Sequence, residues 1–397
     1  MKRPSRRDFL KGTLAGSAAG VLGISELTLL AQEASRNVKI TSPADGAVVC
    51  HKHGEEGPDS LTIRVEGNAP EGALVVVSGR PARREGAVFT AEVEIRERTS
   101  QITAACRDTA GRESSDSVRI VWDKKSTPRY RMAIDDNGYF LRDIVQNNYK
   151  SLFDCPYLKM LRDLNRKYHS TFVLNCFYAL EDGFAITEFP EKYKGEWKDN
   201  GDWLKLAFHS YSEFPARPYQ DAPPEKLMAD WDLLVEQLIR VGGEEAYSPT
   251  TVIHWGMAPV TSFKPLAAKG VRTLSGYFRP DATGKYDVNY CMDDATSKYI
   301  FENDRWHDFD SGITFSRIDL VVNNTPLEDI IPSLQAVRAD SRLNEVIDLL
   351  THEQYFWPFY KAYLPDHPRR MDAALRWVTE HGYEPVWLHE GLLGNAT

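Results

Sequence analysis

The sequence predicts a mixed α/β chain, a deformed (β/α) barrel of seven or eight strands preceded by a small all-β sandwich. Three observations predict it. Residues 37–123 alternate apolar and polar side chains with a period of two between turn signals. Beyond residue 129, apolar strand-like runs alternate with amphipathic helical stretches. Polar or aromatic residues stand where those later runs stop. The 397 residues, 42% hydrophobic and 26% charged, suit a globular chain of two domains. A net charge of −9 argues against nucleic acid as a partner, which needs basic surface. With 17 Phe, 9 Trp and 18 Tyr, the bulk of the chain must fold. No apolar run reaches the roughly 18 residues that span a bilayer, so no mature membrane span is expected.

Residues 1–34 stand apart. They open with Lys2, Arg3, Arg6, Arg7 and Lys11 against the single acid Asp8, followed by a Gly- and Ala-rich apolar stretch, Gly12 to Ser25. Ser5-Arg6-Arg7-Asp8-Phe9-Leu10-Lys11 resembles a twin-arginine export signal. The resemblance implies the twin-arginine export machinery as a partner, cleavage near Ala31 or Ala34, and a periplasmic or secreted destination. That destination permits disulfides. The cysteines are Cys50, Cys106, Cys155, Cys176 and Cys291, with no C-x-x-C spacing to suggest a zinc ribbon. A Cys50–Cys106 pair is the expected bridge, with buried free thiols the alternative.

Within 37–123, alternating runs end on Leu61-Ile63-Val65, Phe89-Ala91-Val93-Ile95, Ile102-Ala104-Cys106 and Val118-Ile120-Trp122. Between them lie turns such as Asp108-Thr-Ala-Gly111. This texture predicts a β-sandwich. Its opening, Val38-Lys-Ile-Thr-Ser-Pro-Ala-Asp-Gly46, resembles bacterial immunoglobulin-like modules found beside carbohydrate enzymes, implying a spacer or docking role. Residues 123–128 form a polar linker ending in Pro128.

The strands expected in 129–397 are Arg131–Asp136, Thr171–Phe177, Lys205–His209, Thr251–Trp255, Arg272–Phe278, Ile318–Asn323, Val346–His352 and Tyr383–Leu388. Helices are expected at Tyr157–Tyr168 and Pro224–Val241; the second has an apolar stripe at 227, 231, 234, 235, 238 and 239. The strand ends carry Asp135, Asp136, Asn175, His209, His254, Trp255, Tyr277, Asn323, His352 and Glu353. In a (β/α) barrel such positions converge on one mouth, where active sites lie. Asp135 and Asp136 point to opposite sides of an extended strand, so one can bind a divalent cation while the other acts as a base. His209 and Glu213, four apart, share a face on a helical turn. Asp136, His209 and Glu213 then make a zinc set with an open position, and the chemistry expected is metal-assisted hydrolysis.

The order Met132-Ala-Ile-Asp-Asp-Asn-Gly138, Phe208-His-Ser-Tyr-Ser-Glu213 and Leu349-Leu-Thr-His352 resembles the polysaccharide deacetylase (NodB-homology) superfamily. The resemblance, over roughly 129–390, implies a deformed barrel. It also implies Asp135 as catalytic base, Asp136 and His209 as metal ligands, Leu350 as an apolar wall and His352 as catalytic acid. Glu213 stands where the family has a second histidine. The family's third-motif arginine is absent from Thr251-Val-Ile-His-Trp-Gly-Met-Ala-Pro259, with His254 in its slot.

Trp255, Tyr277, Tyr355 and Trp357 offer flat rings for sugar faces or for core packing. With His254 and Glu353 they are the candidate substrate contacts. Three readings follow. The first is an exported metal-dependent hydrolase, with zinc as cofactor, removing N- or O-acetyl groups from a polysaccharide. The second is a glycoside hydrolase using carboxylates such as Asp135 and Glu353. The third is a non-catalytic carbohydrate-binding protein.

Overall fold

The computed structural model describes residues 37–392. The export signal and its cleavage site lie outside these residues. The described chain falls into two compact units. The smaller holds residues 37–41, 66–91 and 103–116; the larger holds 42–65, 92–102 and 117–392.

The smaller unit is antiparallel β. Leu74–Val77 pairs with Arg80–Pro81 and, over Leu74↔Arg107 to Val77↔Ala104, with the end of Thr99–Arg107. Period-two alternation buries Val75, Val77, Phe89, Ala91, Ala104 and Cys106 while their neighbours face water. The expected Cys50–Cys106 bridge does not form. All five cysteines are free thiols. The Cys106 sulfur sits 3.2 Å from Ser114 Oγ, and that of Cys50 lies 3.6 Å from His53 Nδ1.

The larger unit is built on parallel strands β1 (Arg129–Asn137), β2 (Phe172–Phe177), β3 (Leu204–Ser210), β4 (Thr273–Gly276), β6 (Ile313–Arg317), β7 (Leu320–Val321), β8 (Val346–His352) and β9 (Glu384–Pro385), with β5 (Arg305–Asp308) running against β6. One sheet has the order β3-β2-β1-β8-β7, with β9 beside the start of β1. β4 and β6 pair in a second sheet. Flanking helices include α1 (Tyr139–Asn147), α2 (Pro156–Tyr168), α3 (Pro224–Gly242), α4 (Leu327–Ala339) and α5 (His367–Glu380). Every residue of β1 is buried, as expected of a parallel strand covered on both faces. One core joins Tyr130, Met132 and Ile134 of β1 to Leu158 and Leu161 of α2 and Leu234 and Leu238 of α3.

Among the described residues the strands do not close into one ladder. The strand expected at Thr251–Trp255 is replaced by an extended segment and a 3-10 turn, His254–Gly256. Pro249 has no N–H to give a ladder, and single bonds bridge the gap instead. Ser248 N donates to Leu206 O at 2.9 Å and Ser275 N to Thr251 O at 2.7 Å. The runs expected at Ile318–Asn323 and Tyr383–Leu388 are likewise trimmed to the two-residue strands β7 and β9.

A candidate metal centre at the strand ends

β1 carries the first two site residues on an irregularity. Its register against β2 shifts between Ile134 and Asn137, and Asp136 has φ +60°. Aspartate is among the few residues that enter this left-handed region readily. The break in the pleat lets both carboxylates approach one imidazole: His209 Nε2 lies 3.3 Å from Asp136 Oδ1 and 3.9 Å from Asp135 Oδ2. Asn137, the next residue, holds this bulge. Its amide donates to the carbonyls of Ile134 and Asn175, and its oxygen accepts from Tyr157 Oη.

His209 is the penultimate residue of β3, and His254 opens the 3-10 turn, whose next two residues, Trp255 and Gly256, both have positive φ. Here glycine is the residue that accommodates the second left-handed position most easily. His254 Nδ1 comes within 3.1 Å of His209 Nε2 and 3.4 Å of Asp136 Oδ1. Each ring is anchored at its far nitrogen. His209 Nδ1 donates to Val252 O at 3.1 Å, and His254 Nε2 donates to Glu213 O at 3.2 Å. In the neutral rings these backbone acceptors take the N–H, so Nε2 of His209 and Nδ1 of His254 are the nitrogens turned toward Asp136. Phe177 packs against both rings, 5.4 and 5.2 Å between centroids.

Asp136, His209 and His254 are all buried, and their ligand atoms lie within 4.8 Å of one another. The second carboxylate oxygen of Asp136 has no hydrogen-bond partner. Burial alone would lift the Asp136 carboxyl, but the two imidazoles hold it well below the usual carboxylate range. Burial likewise disfavours a charged His209, yet Asp135 and Asp136 push its pKa up, whereas burial prevails at His254 and pushes it down.

Asp135 and His352 flank this cluster as register partners on β1 and β8. Asn175 Nδ2 donates to Asp135 Oδ1 at 2.7 Å, and Asn323 Oδ1 lies 2.9 Å from His352 Nδ1. Both asparagines orient a neighbour. Their only sequence signal is a polar residue at the end of an apolar run. Beneath Asp135, Arg131 donates to Asp348 at 2.8 Å and to Thr251 Oγ1 at 3.1 Å, with Ser275 on the other carboxylate oxygen. Burial pushes the Asp348 carboxyl up, against the pull of Arg131.

The remaining sequence candidates are distributed differently. Glu213 is not in the cluster: its carboxylate accepts from Gln354 Nε2 at 2.8 Å, and only its main-chain carbonyl reaches His254. His254 stands in its place. Glu353 is fully buried and accepts from Gly138 N at 2.6 Å, Tyr139 N at 3.0 Å, Phe140 N at 2.6 Å and Trp357 Nε1 at 2.8 Å. It is the anion at the N-terminus of α1, with burial pushing its pKa up to about 7 against those donors. Trp357 is buried with it. Tyr355 lies tilted against His352, 6.0 Å between centroids. Tyr277 is exposed and lies under the Arg279 guanidinium, while Trp255 lies under that of Arg217.

Residues 3–23 match the twin-arginine translocation pathway signal sequence. The chain is thus a twin-arginine export substrate, periplasmic or secreted. No helix among the described residues is long and apolar enough to cross a membrane. No curated protein matches the chain. Solved structures similar to it include a family 4 acetyl xylan esterase from Clostridium thermocellum in complex with cobalt, at 11% identity over 66% of this chain and 88% of that one, TM-score 0.34. A polysaccharide deacetylase from Bacillus cereus is similar at 12% identity over 66% and 98%, TM-score 0.23. A GH5 xyloglucanase from Bacteroides ovatus is similar at 10% identity over 87% and 100%, TM-score 0.30.

Proposed function

We propose that the chain is an exported, metal-dependent hydrolase that removes acyl groups from a carbohydrate. One observation carries the reading. Two imidazole nitrogens and a carboxylate oxygen, all buried, meet within 3.1 to 3.4 Å, and each ring's other nitrogen is engaged by a main-chain carbonyl. Buried acceptors repel one another unless a positive charge joins them. Rings pinned through their far nitrogens on main-chain carbonyls are the usual second layer of a metal site. Asp136, His209 and His254 would hold a divalent cation of the zinc class. Three protein ligands of this kind leave an open position.

When bound, such a cation supplies Lewis acidity toward an acyl oxygen. Asp135, oriented by Asn175, takes the proton from the water that attacks the acyl carbon. His352, oriented by Asn323, delivers a proton to the departing amine or alcohol. Their register pairing sets base and acid on neighbouring strands. The exposed rings of Tyr211, Tyr277 and Phe359 are flat faces on which a sugar can stack. The glycosidase reading loses one of its acids, because Glu353 is fully occupied at the start of α1.

The test is hydrolysis of acetylated xylan and of chito-oligosaccharides by the purified exported protein. Chelator should abolish acetate release and zinc should restore it. Asp135→Asn should lower kcat by about 10²-fold or more while leaving bound metal unchanged. Reducing sugar released without acetate would overturn the reading.

A further inference from the structure

A second cluster of donors lies in the larger unit, far along the chain from the first. The turn Cys50-His51-Lys52-His53 follows the short strand Ala47–Val49, and Glu345 immediately precedes β8. The Cys50 sulfur, one ring nitrogen of His51 and one carboxylate oxygen of Glu345 lie within 4.8 Å of one another. Cys50 is 1% and Glu345 3% exposed, while His51 is open to solvent. Lys52 Nζ pairs with Glu345 Oε2. Neither carboxylate oxygen has a hydrogen-bond partner of good geometry, and Oε1 lies 3.9 Å from His51 Nδ1. The Lys52 ammonium balances the carboxylate's charge from one side, and the Cys50 sulfur and His51 ring face it from another. His53 completes the surround: its Nδ1 accepts the Cys50 main-chain N–H at 3.1 Å and lies 3.6 Å from the sulfur, so it orients the thiol rather than adding a ligand.

We propose that Cys50, His51 and Glu345 form a second transition-metal site, taking a zinc-class ion through one thiolate, one imidazole and one carboxylate. The sulfur selects a soft or borderline ion over calcium or magnesium, which prefer oxygen donors. On binding, the S–H bond breaks, its proton leaves to solvent, and a metal–sulfur bond forms with no change of oxidation state. The site joins segments almost three hundred residues apart in sequence, so its role is to tie the fold. It does not depend on the activity proposed above, since it shares no ligand with Asp136, His209 and His254.

Cobalt(II) separates the two sites in the full chain, because only the second contains sulfur. The protein loaded with cobalt should show a near-ultraviolet thiolate-to-cobalt charge-transfer band. That band should persist in the His209→Ala/His254→Ala double variant and vanish in Cys50→Ser. His51→Ala, a change at an exposed side chain, should weaken the cobalt affinity read from the band by at least tenfold while the circular dichroism stays unchanged. If Cys50→Ser does not fold, His51→Ala carries the test alone. Absence of the band from the folded wild-type chain, its survival in Cys50→Ser, or unchanged affinity in His51→Ala would overturn the proposal.

Discussion

Replacing His254 by alanine is the perturbation that most directly tests the catalytic cation site. It deletes a nitrogen 3.4 Å from Asp136 Oδ1 and 3.1 Å from His209 Nε2, leaving two of three donors. Loss of a residue that merely orients a ligand costs about 10- to 100-fold in metal affinity. Loss of the ligand itself should therefore cost more than about 100-fold, or upwards of roughly 3 kcal/mol of binding. Glu213→Ala supplies the contrast. It removes one side-chain hydrogen bond to Gln354, worth about 1 kcal/mol, but keeps the carbonyl that anchors His254. Zinc affinity in Glu213→Ala should stay within a few-fold of wild type. Competition against a chromophoric chelator at fixed pH measures both variants on one scale. If Glu213→Ala lost the ion and His254→Ala kept it, the assignment of the third ligand would be refuted.

Glu353→Ala should destabilise the protein rather than act on turnover alone, since it strands four N–H groups, three of the main chain and the Trp357 indole, at about 1–3 kcal/mol for each buried one; urea unfolding reads this directly. Arg131→Met leaves the buried Asp348 carboxylate uncompensated and should cost about 3–5 kcal/mol, whereas the double variant Arg131→Met/Asp348→Leu should recover most of it; thermal melts of the pair decide. His367 is fully buried beside Thr351, and burial pushes its pKa down to about 4. The unfolded chain therefore binds a proton between about pH 6.5 and 4 that the folded chain refuses. Stability present above pH 6.5 is lost as the pH falls, by roughly 3 kcal/mol at pH 4. Urea midpoints for His367→Gln should fall less steeply with acid than those of wild type.

Much of this was legible in the residues. Apolar runs broken by a charge or an amide gave β1, β2, β3 and β8 nearly to their ends, and Pro at the start with glycines at the end bounded α3. The candidate site was legible as a set of strand ends, because a parallel sheet sends those ends to one side. Two things were not. The backbone turn at Asp136 depends on the pairing with β2, which no local pattern encodes. The exchange of Glu213 for His254 depends on where a proline-interrupted segment passes, and helical spacing points to Glu213 instead. Glu353 looked like an acid for chemistry, yet a carboxylate two residues from an aromatic pair can equally serve three main-chain donors over two hundred residues upstream.

The anchoring of both imidazoles on main-chain carbonyls has a consequence for how the protein matures. On the proposed reading, imidazoles braced by the folded backbone form a ready-made ligand set, to which a cation can add once the chain has folded. Export in the folded state then leaves two occasions for that addition, one before the chain crosses the membrane and one after.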